Sequence, residues 1–264
     1  MNWKEFEKSS AEYLSNIKVF EGIAEFTHIG SSDSTTSDIL VQTNKSRFFI
    51  EVKKSKAQCG QFVLFPNEQT KKFEFSTKNK TPLNKASQTI IDYMNANYEK
   101  FEKAGTKGVD IIFDNCNKVF EQWILEAAKQ KNVLFYMTKG YTILPVNDIS
   151  KYFEITAKYR IKKSGSSNAG KQNIETLTNV IKAMDNDWQN IEAKGAKLFV
   201  QTSDDIDKKS FQFNGKMYMF AKRKDKYEVR KLSDTRNANV IFSIKYNGKK
   251  GLSKEVFAKL LKNK

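Results

Sequence analysis

Histidine occurs once in this chain, cysteine twice and proline three times, among 264 residues. A single imidazole, His28, argues against a zinc site and against a histidine-dependent hydrolase. Cys59 and Cys116 match no metal-ligand spacing, so they read as free thiols of a reducing cytoplasm. No apolar run is long enough to span a bilayer. The opening MNWKEFEKSS carries acids and lacks an apolar signal core. The expectation is therefore a cytoplasmic protein with no membrane partner. Internal repeats and low-complexity tracts are also absent.

Basic residues, by contrast, are abundant. Lys and Arg number 46 against 30 Asp and Glu, a net charge of +16. That excess suits a polyanionic partner, because each neutralised phosphate releases counterions. The plainer alternative is a lysine-rich surface with no ligand. At this length the chain can bury a large core, as one domain or two.

The most informative stretch runs from Ser31 to Gln61. Two apolar runs, Ile39-Leu40-Val41 and Phe48-Phe49-Ile50, flank the turn-like Thr43-Asn44-Lys45-Ser46, which predicts a β-hairpin. Asp38 stands at the mouth of the first strand. Glu51 and Lys53 lie on the second, and alternation points them to one face, with Ile50 and Val52 on the other. An acid and an amine on a buried strand are costly unless they pair or bind something. A hard cation such as Mg²⁺ takes carboxylate oxygens together with water and phosphate oxygens, so Asp38 and Glu51 suit it as ligands. Lys53 would then hold, or help deprotonate, an attacking water.

Asp38 followed by Glu51-Val52-Lys53 resembles the PD-(D/E)XK nuclease superfamily, which includes most type II restriction endonucleases. Phe6-Glu7, with Ala11 and Tyr13-Leu14 after it, resembles the opening helix of Mrr-type restriction enzymes. The polar loop Gly30 to Asp38 and the position of Gln61 on the next strand are similar to family features as well. Ser37 departs from the pattern, since the family often has proline there. The resemblance covers about the first 70 residues. It implies a Mg²⁺-dependent deoxyribonuclease acting on double-stranded DNA, with Asp38 and Glu51 on the metal. It further implies Lys53 on the water, with Glu7 and Gln61 in support. A sequence-specific type II enzyme is the leading expectation. A modified-DNA-dependent, repair or junction-resolving nuclease is the alternative on the same fold, and a non-catalytic nucleic-acid-binding protein the alternative from another class. A palindromic target would call for a homodimer; a monomer that nicks in turn is the other arrangement.

The rest of the chain predicts an α/β fold. Trp3, Phe6, Ala11, Leu14 and Ile17 repeat at helical spacing, and Glu7 lies on that helix. Asp33 reads as a turn residue. Strand Gln61–Phe65, a polar loop over 67–84 with an edge strand at Phe73–Phe75, and a helix over 85–104 follow. Then come a strand at Val109–Phe113, a helix at Asn117–Gln130, and strands at Val133–Met137 and Tyr141–Val146. This is a mixed β-sheet flanked by helices, a restriction-endonuclease-like core, assigned to residues 1–155.

Residues 156–264 read as a basic, β-rich part that grips DNA. Lys158 to Lys171 carries basic residues without an acid and a Gly/Ser-rich tip, predicting a loop. A helix over 172–187 comes next, then strands over 195–247 with a hairpin at Asn214-Gly215. A last helix spans Ser253 to Leu261. The DNA-contact candidates are Lys54, Lys56, Arg160, Lys162, Lys163, Arg223, Arg230, Arg236 and Asn237, with Asn239 beside them. Arginine and asparagine suit base edges in the major groove; the plain alternative for each is a solvated strand edge.

Overall fold

The computed structural model describes residues 2–30, 37–163, 165–233 and 236–264, without the side chains of Lys163 and Arg236. Asp33, Lys163 and Arg236, as read from the sequence, therefore lie outside the described residues or side chains. The chain divides into two units, one of residues 1–161 and 238–264, the other of Lys162–Asn237. The expected boundary thus shifts. Residues 238–264 return to the first unit, because a late strand completes one of its sheets.

The first unit opens with helix α1 (Trp3–Ser15). Asn2 caps it, accepting from Glu5 N, and Glu5 reaches back in a capping box. Strands β1 (Ala24–His28), β2 (Ile39–Thr43) and β3 (Arg47–Val52) form an antiparallel meander. The predicted hairpin is β2–β3, with Ile39 opposite Ile50 and Val41 opposite Phe48. Strand β4 (Lys56–Asn67) leaves that sheet and pairs with β5 (Lys72–Phe75) in a second one.

The expected helix over 85–104 is two helices, α2 (Lys85–Ala96) and α3 (Tyr98–Glu102), broken at Asn97. The strand expected over 109–113 is only β6 (Val109–Asp110), at the edge of the second sheet. Helix α4 (Cys116–Gln130) leads to β7 (Val133–Thr138), which pairs parallel to β3. Strand β8 (Thr142–Pro145) closes the first sheet beside β7, giving the order β1-β2-β3-β7-β8.

A short helix, α5 (Ile149–Tyr152), feeds β9 (Phe153–Lys163). Here the sequence reading needs correction. Lys158 to Lys163 is strand, not loop, because Phe153, Ile155, Ala157 and Tyr159 alternate into the core. The alternation was hidden by the basic residues that fill the other face.

The second unit has its own sheet and core. It comprises β10 (Ser166–Asn168), α6 (Ile174–Lys182), β11 (Trp188–Lys194), β12 (Lys197–Thr202), β13 (Ser210–Phe213), β14 (Lys216–Arg223) and β15 (Lys226–Leu232). Leu177 and Ile181 of α6 pack on Leu198, Val200, Phe220 and Val229 of that sheet. Strand β16 (Arg236–Tyr246) then carries the chain into the second sheet of the first unit, between β4 and β9. Helix α7 (Lys254–Lys262) ends the fold, and the Ser253 side chain caps it, as expected.

Two cores cover the two faces of the first sheet. Phe48, Ile50 and Val52 of β3 point to one face and pack with Ala11 and Leu14 of α1 and Phe257 of α7. The opposite face meets α2, α4 and the second sheet around Phe62, Trp123 and Phe242. Each fully buried Phe, Leu or Ile contributes about 1.5–3 kcal/mol relative to exposure. A one-residue slip of β3 would turn its apolar set out of that core, so burial fixes which residues face the opposite side. Glu51 and Lys53 are those residues.

Candidate active site

Three side chains predicted to act together do line one cleft. Asp38, Glu51 and Lys53 open into a cavity of about 520 Å³, beside Cys59, Gln61, Trp123, Lys131 and Tyr136. The ladder explains the arrangement. Lys53 N–H donates to the Met137 carbonyl, extending the β3–β7 pairing past Val52 and keeping Lys53 in phase with Glu51. The Asp38 carbonyl accepts from Ile29 N and Gly30 N, which anchors the strand mouth to the β1 side. On the β3 side, Asp38 Oδ2 accepts from Val52 N at 2.7 Å.

Charge is distributed unevenly within the cleft. Glu51 meets Lys53 Nζ at 2.6 Å and Lys131 Nζ at 3.2 Å. Burial alone would raise the Glu51 carboxyl, but the two ammonium groups outweigh it and hold it down at about 2. Burial likewise would lower Lys53, yet Glu51 first, then Cys59 and Asp38, push its pKa up, so it stays protonated. Asp38 is raised by burial, against the pull of Lys53 and of the Val52 N–H.

Glu7 from α1 is 2% exposed and is pushed up to about 8, by burial first and then by Asp38. With both acids ionised, Glu7 Oε1 has no hydrogen-bond partner among the described residues. A proton on Glu7 supplies a hydrogen bond between the two carboxyls. His28 Nε2 sits 3.7 Å from Glu7 Oε2, beyond a hydrogen bond. A Cβ on Gly30 would lie 2.9 Å from Glu7 Oε2 and 3.0 Å from His28 Nε2, so a side chain there would crowd this carboxyl.

The acids therefore exceed the cations on the Asp38–Glu7 side. A cation beside Asp38 would offset that excess, and carboxylate oxygens are the right donor type for a hard ion. Among the described residues no group of three or more acidic, histidine or cysteine side chains has metal-binding geometry. Asp38 and Glu51 line the same cleft and are the two carboxylates there that could hold such an ion, with water and phosphate oxygens completing it.

The other sequence candidates fall in different places. Gln61 lines the cleft, and its Oε1 accepts from Gln58 Nε2 at 3.0 Å. Lys54 and Lys56 are exposed just after β3. Arg160 is half-buried on β9, and its Nε has no partner among the described residues. Lys162 and Asn237 are exposed, whereas Asn239 is buried.

Arg230 has its donors engaged inside the second unit. It donates to Glu228 Oε1 at 2.6 Å, to Ser166 Oγ and to Asn168 Oδ1, the last two each at 3.1 Å. Arg223 Nε meets the other Glu228 oxygen at 3.0 Å. Glu228 is a buried acid that needs both arginines. The signal was in the sequence, since Glu228 alternates in phase with Arg230 on β15, but its burial was not.

Sequence reading missed Lys131, which follows α4 and reaches Glu51 across the fold. It also missed Trp3, Lys78 and Lys80 at the cleft. None of these residues is near the Asp38–Lys53 stretch in sequence, so no local pattern points to them.

No protein-family model matches this chain, and no curated protein does. Among solved structures the chain is similar to HhaI endonuclease, determined in complex with DNA. The two share 35% sequence identity with a TM-score of 0.72, over 98% of this chain and 96% of that one. Among the described residues no helix is long and apolar enough to cross a membrane. With that identity along nearly the full length of both chains, and a mixed sheet flanked by helices in common, this protein belongs to the family of HhaI endonuclease and has a restriction-endonuclease-like fold.

Proposed function

We propose that the protein is a Mg²⁺-dependent endonuclease that hydrolyses phosphodiester bonds of double-stranded DNA as a sequence-specific type II restriction enzyme. One observation carries the reading: Asp38, on a different strand mouth from Glu51 and Lys53, opens together with them into a single cleft. The family relationship supports the same reading, since HhaI endonuclease was solved on DNA.

Asp38 and Glu51 would hold the ion. Bound there, Mg²⁺ would lower the pKa of a water and offset the charge that builds on phosphorus. The protein's own groups do the positioning. The Val52 N–H fixes one Asp38 oxygen, and Asp38 lines the cleft. Lys53 remains an ammonium because Glu51 sits 2.6 Å away. It therefore serves as a donor that orients water or a phosphate oxygen, not as the base. Glu7 keeps Asp38 in place through the shared proton. Gln61, at the cleft wall, supplies a neutral amide to the same space.

The test is digestion of a sequenced plasmid by the purified protein, with Mg²⁺ and with EDTA. Discrete fragments from unmodified DNA, only with Mg²⁺, are expected. The Asp38→Ala and Lys53→Ala variants should lose cleavage by about a hundredfold or more, because each removes electrostatic stabilisation at the reacting phosphate, while duplex binding persists. Full cleavage by either variant would falsify the assignment of these residues. Cleavage restricted to methylated or branched DNA would reject the type II reading and keep the nuclease.

A further inference from the structure

The turn after β5 forms a wall of the cleft, and nothing in the proposed chemistry uses it. Lys78, Asn79, Lys80 and Thr81 all line the cavity that holds Asp38, Glu51 and Lys53. A lysine-rich loop on a small strand would ordinarily fray, since exposed ends have few bonds to hold them. This one is tied down. Asn79 N donates to the Ser76 carbonyl at 3.1 Å, closing a turn, and Lys78 N donates to Ser76 Oγ at 3.2 Å.

The Asn79 side chain then behaves as a piece of strand. Its Oδ1 accepts from Val63 N at 2.7 Å, and its Nδ2 donates to the Val63 carbonyl at 2.9 Å. One amide thus satisfies both backbone groups of a single residue on β4, next to where β5 pairing gives out. The residue so gripped, Val63, itself lines the cleft, as does Gln61 two positions before it.

Asn79 sits between two lysines, so gripping it fixes both. Lys78 and Lys80 are exposed, and among the described residues no acid pairs with either. Lys53 and Lys131, by contrast, are engaged with Glu51. The cleft therefore has one cationic pair committed to the catalytic acid and another left to solvent. Two unpaired ammonium groups on a bonded turn match the repeating charge of a nucleic-acid backbone, where contacts to phosphate set position rather than sequence.

We propose that the turn Ser76–Thr81 is a backbone clamp: Lys78 and Lys80 contact phosphates of the DNA strand in the cleft, and Asn79 is the positioning residue that holds them there. This rests on the nuclease reading for the identity of the polyanion. It adds residues that lie outside the Asp38–Lys53 stretch and outside the basic positions singled out from the sequence.

The experiment measures duplex affinity of the full-length protein by fluorescence anisotropy in EDTA, over a series of NaCl concentrations. Plasmid cleavage in Mg²⁺ is measured in parallel. Each of Lys78→Ala and Lys80→Ala should reduce the slope of log K against log salt by about one, and the double variant by about two. Asn79→Ala keeps both charges, yet its slope should also fall, towards that of the double variant. A residue that only supported the fold would lower the melting temperature and leave the slope alone. The lysine variants alter exposed side chains, so they report even if Asn79→Ala does not fold. A double variant with the wild-type slope overturns the clamp, whether or not the wild type cleaves. A wild type that binds with a slope carried by these lysines but never cleaves keeps the clamp and overturns the nuclease. Absence of salt-dependent binding by the wild type overturns both.

Discussion

Replacing Glu7 by glutamine should make the metal-free protein more stable at neutral pH while changing little in mild acid. Glu7 is nearly inaccessible, and its pKa is raised from 4.5 to about 8 by burial and by Asp38. Between those values the folded state binds a proton that the unfolded chain has released. Stability from this group is therefore fully present below about 4.5 and is lost as pH rises, the loss being complete once pH passes about 8. Each pH unit in that window is worth about 1.4 kcal/mol, so by pH 7 the wild type has lost about 3 kcal/mol on this account.

Glutamine has the same shape, donates to Asp38 through its amide and does not titrate. Glu7→Gln should therefore gain about 3 kcal/mol on the wild type between pH 4.5 and pH 7. The assay is urea unfolding in EDTA at several pH values, followed by tryptophan fluorescence. Groups remote from the Glu7–Asp38 pair titrate in both proteins and cancel in the difference, so the profile reports on the pair. Added Mg²⁺ should shrink the gap, because an ion held by Asp38 would offset the negative charge beside Glu7 that the proton otherwise offsets. If the two profiles run parallel, within about 0.5 kcal/mol across the window, then the carboxyl is not held protonated and the electrostatic account of this corner of the cleft is wrong.

Other expectations follow from the same contacts. Gly60→Ala puts a Cβ 2.6 Å from Trp123 Cζ3 at a backbone φ of +116°; displacing that indole should cost about 1–3 kcal/mol in urea unfolding. Wild-type stability in that variant would refute the close approach. Arg230→Ala strips one of two partners from the buried Glu228, Arg223 still holding the other oxygen, and should destabilise the protein by about 1.5–3 kcal/mol. If unfolding is unchanged and only duplex affinity drops, Arg230 is a DNA contact after all.

The site's local half is written in the chain order. Alternation on β3 puts Ile50 and Val52 on one face and Glu51 and Lys53 on the other, and period-two geometry is a property of any strand. The turn at Thr43–Ser46 then sets the β2–β3 register, with Asp38 one residue ahead of the strand whose Ile39 faces Ile50. Burial of the apolar face permits no slip. These features needed no knowledge of the rest of the molecule.

Other features depended on contacts that no window of sequence contains. Arg230 reads as an exposed strand arginine until Glu228 is found buried beneath it. Lys158 to Lys163 reads as a loop because its basic residues outnumber the apolar ones, although those apolar residues pack inward as strand. Lys131 lies 80 residues from Glu51 in the chain and meets it only because β7 pairs parallel to β3 and brings the end of α4 to the cleft. Asn79 takes hold of Val63 by the same kind of long-range closure. Which side chains share a face of one strand is readable from residue order alone, because that follows from backbone geometry and the placement of apolar residues. Which charges are neutralised and which are left for a ligand emerges with the folded chain, because ion pairing depends on distances of a few ångströms between segments far apart in residue order.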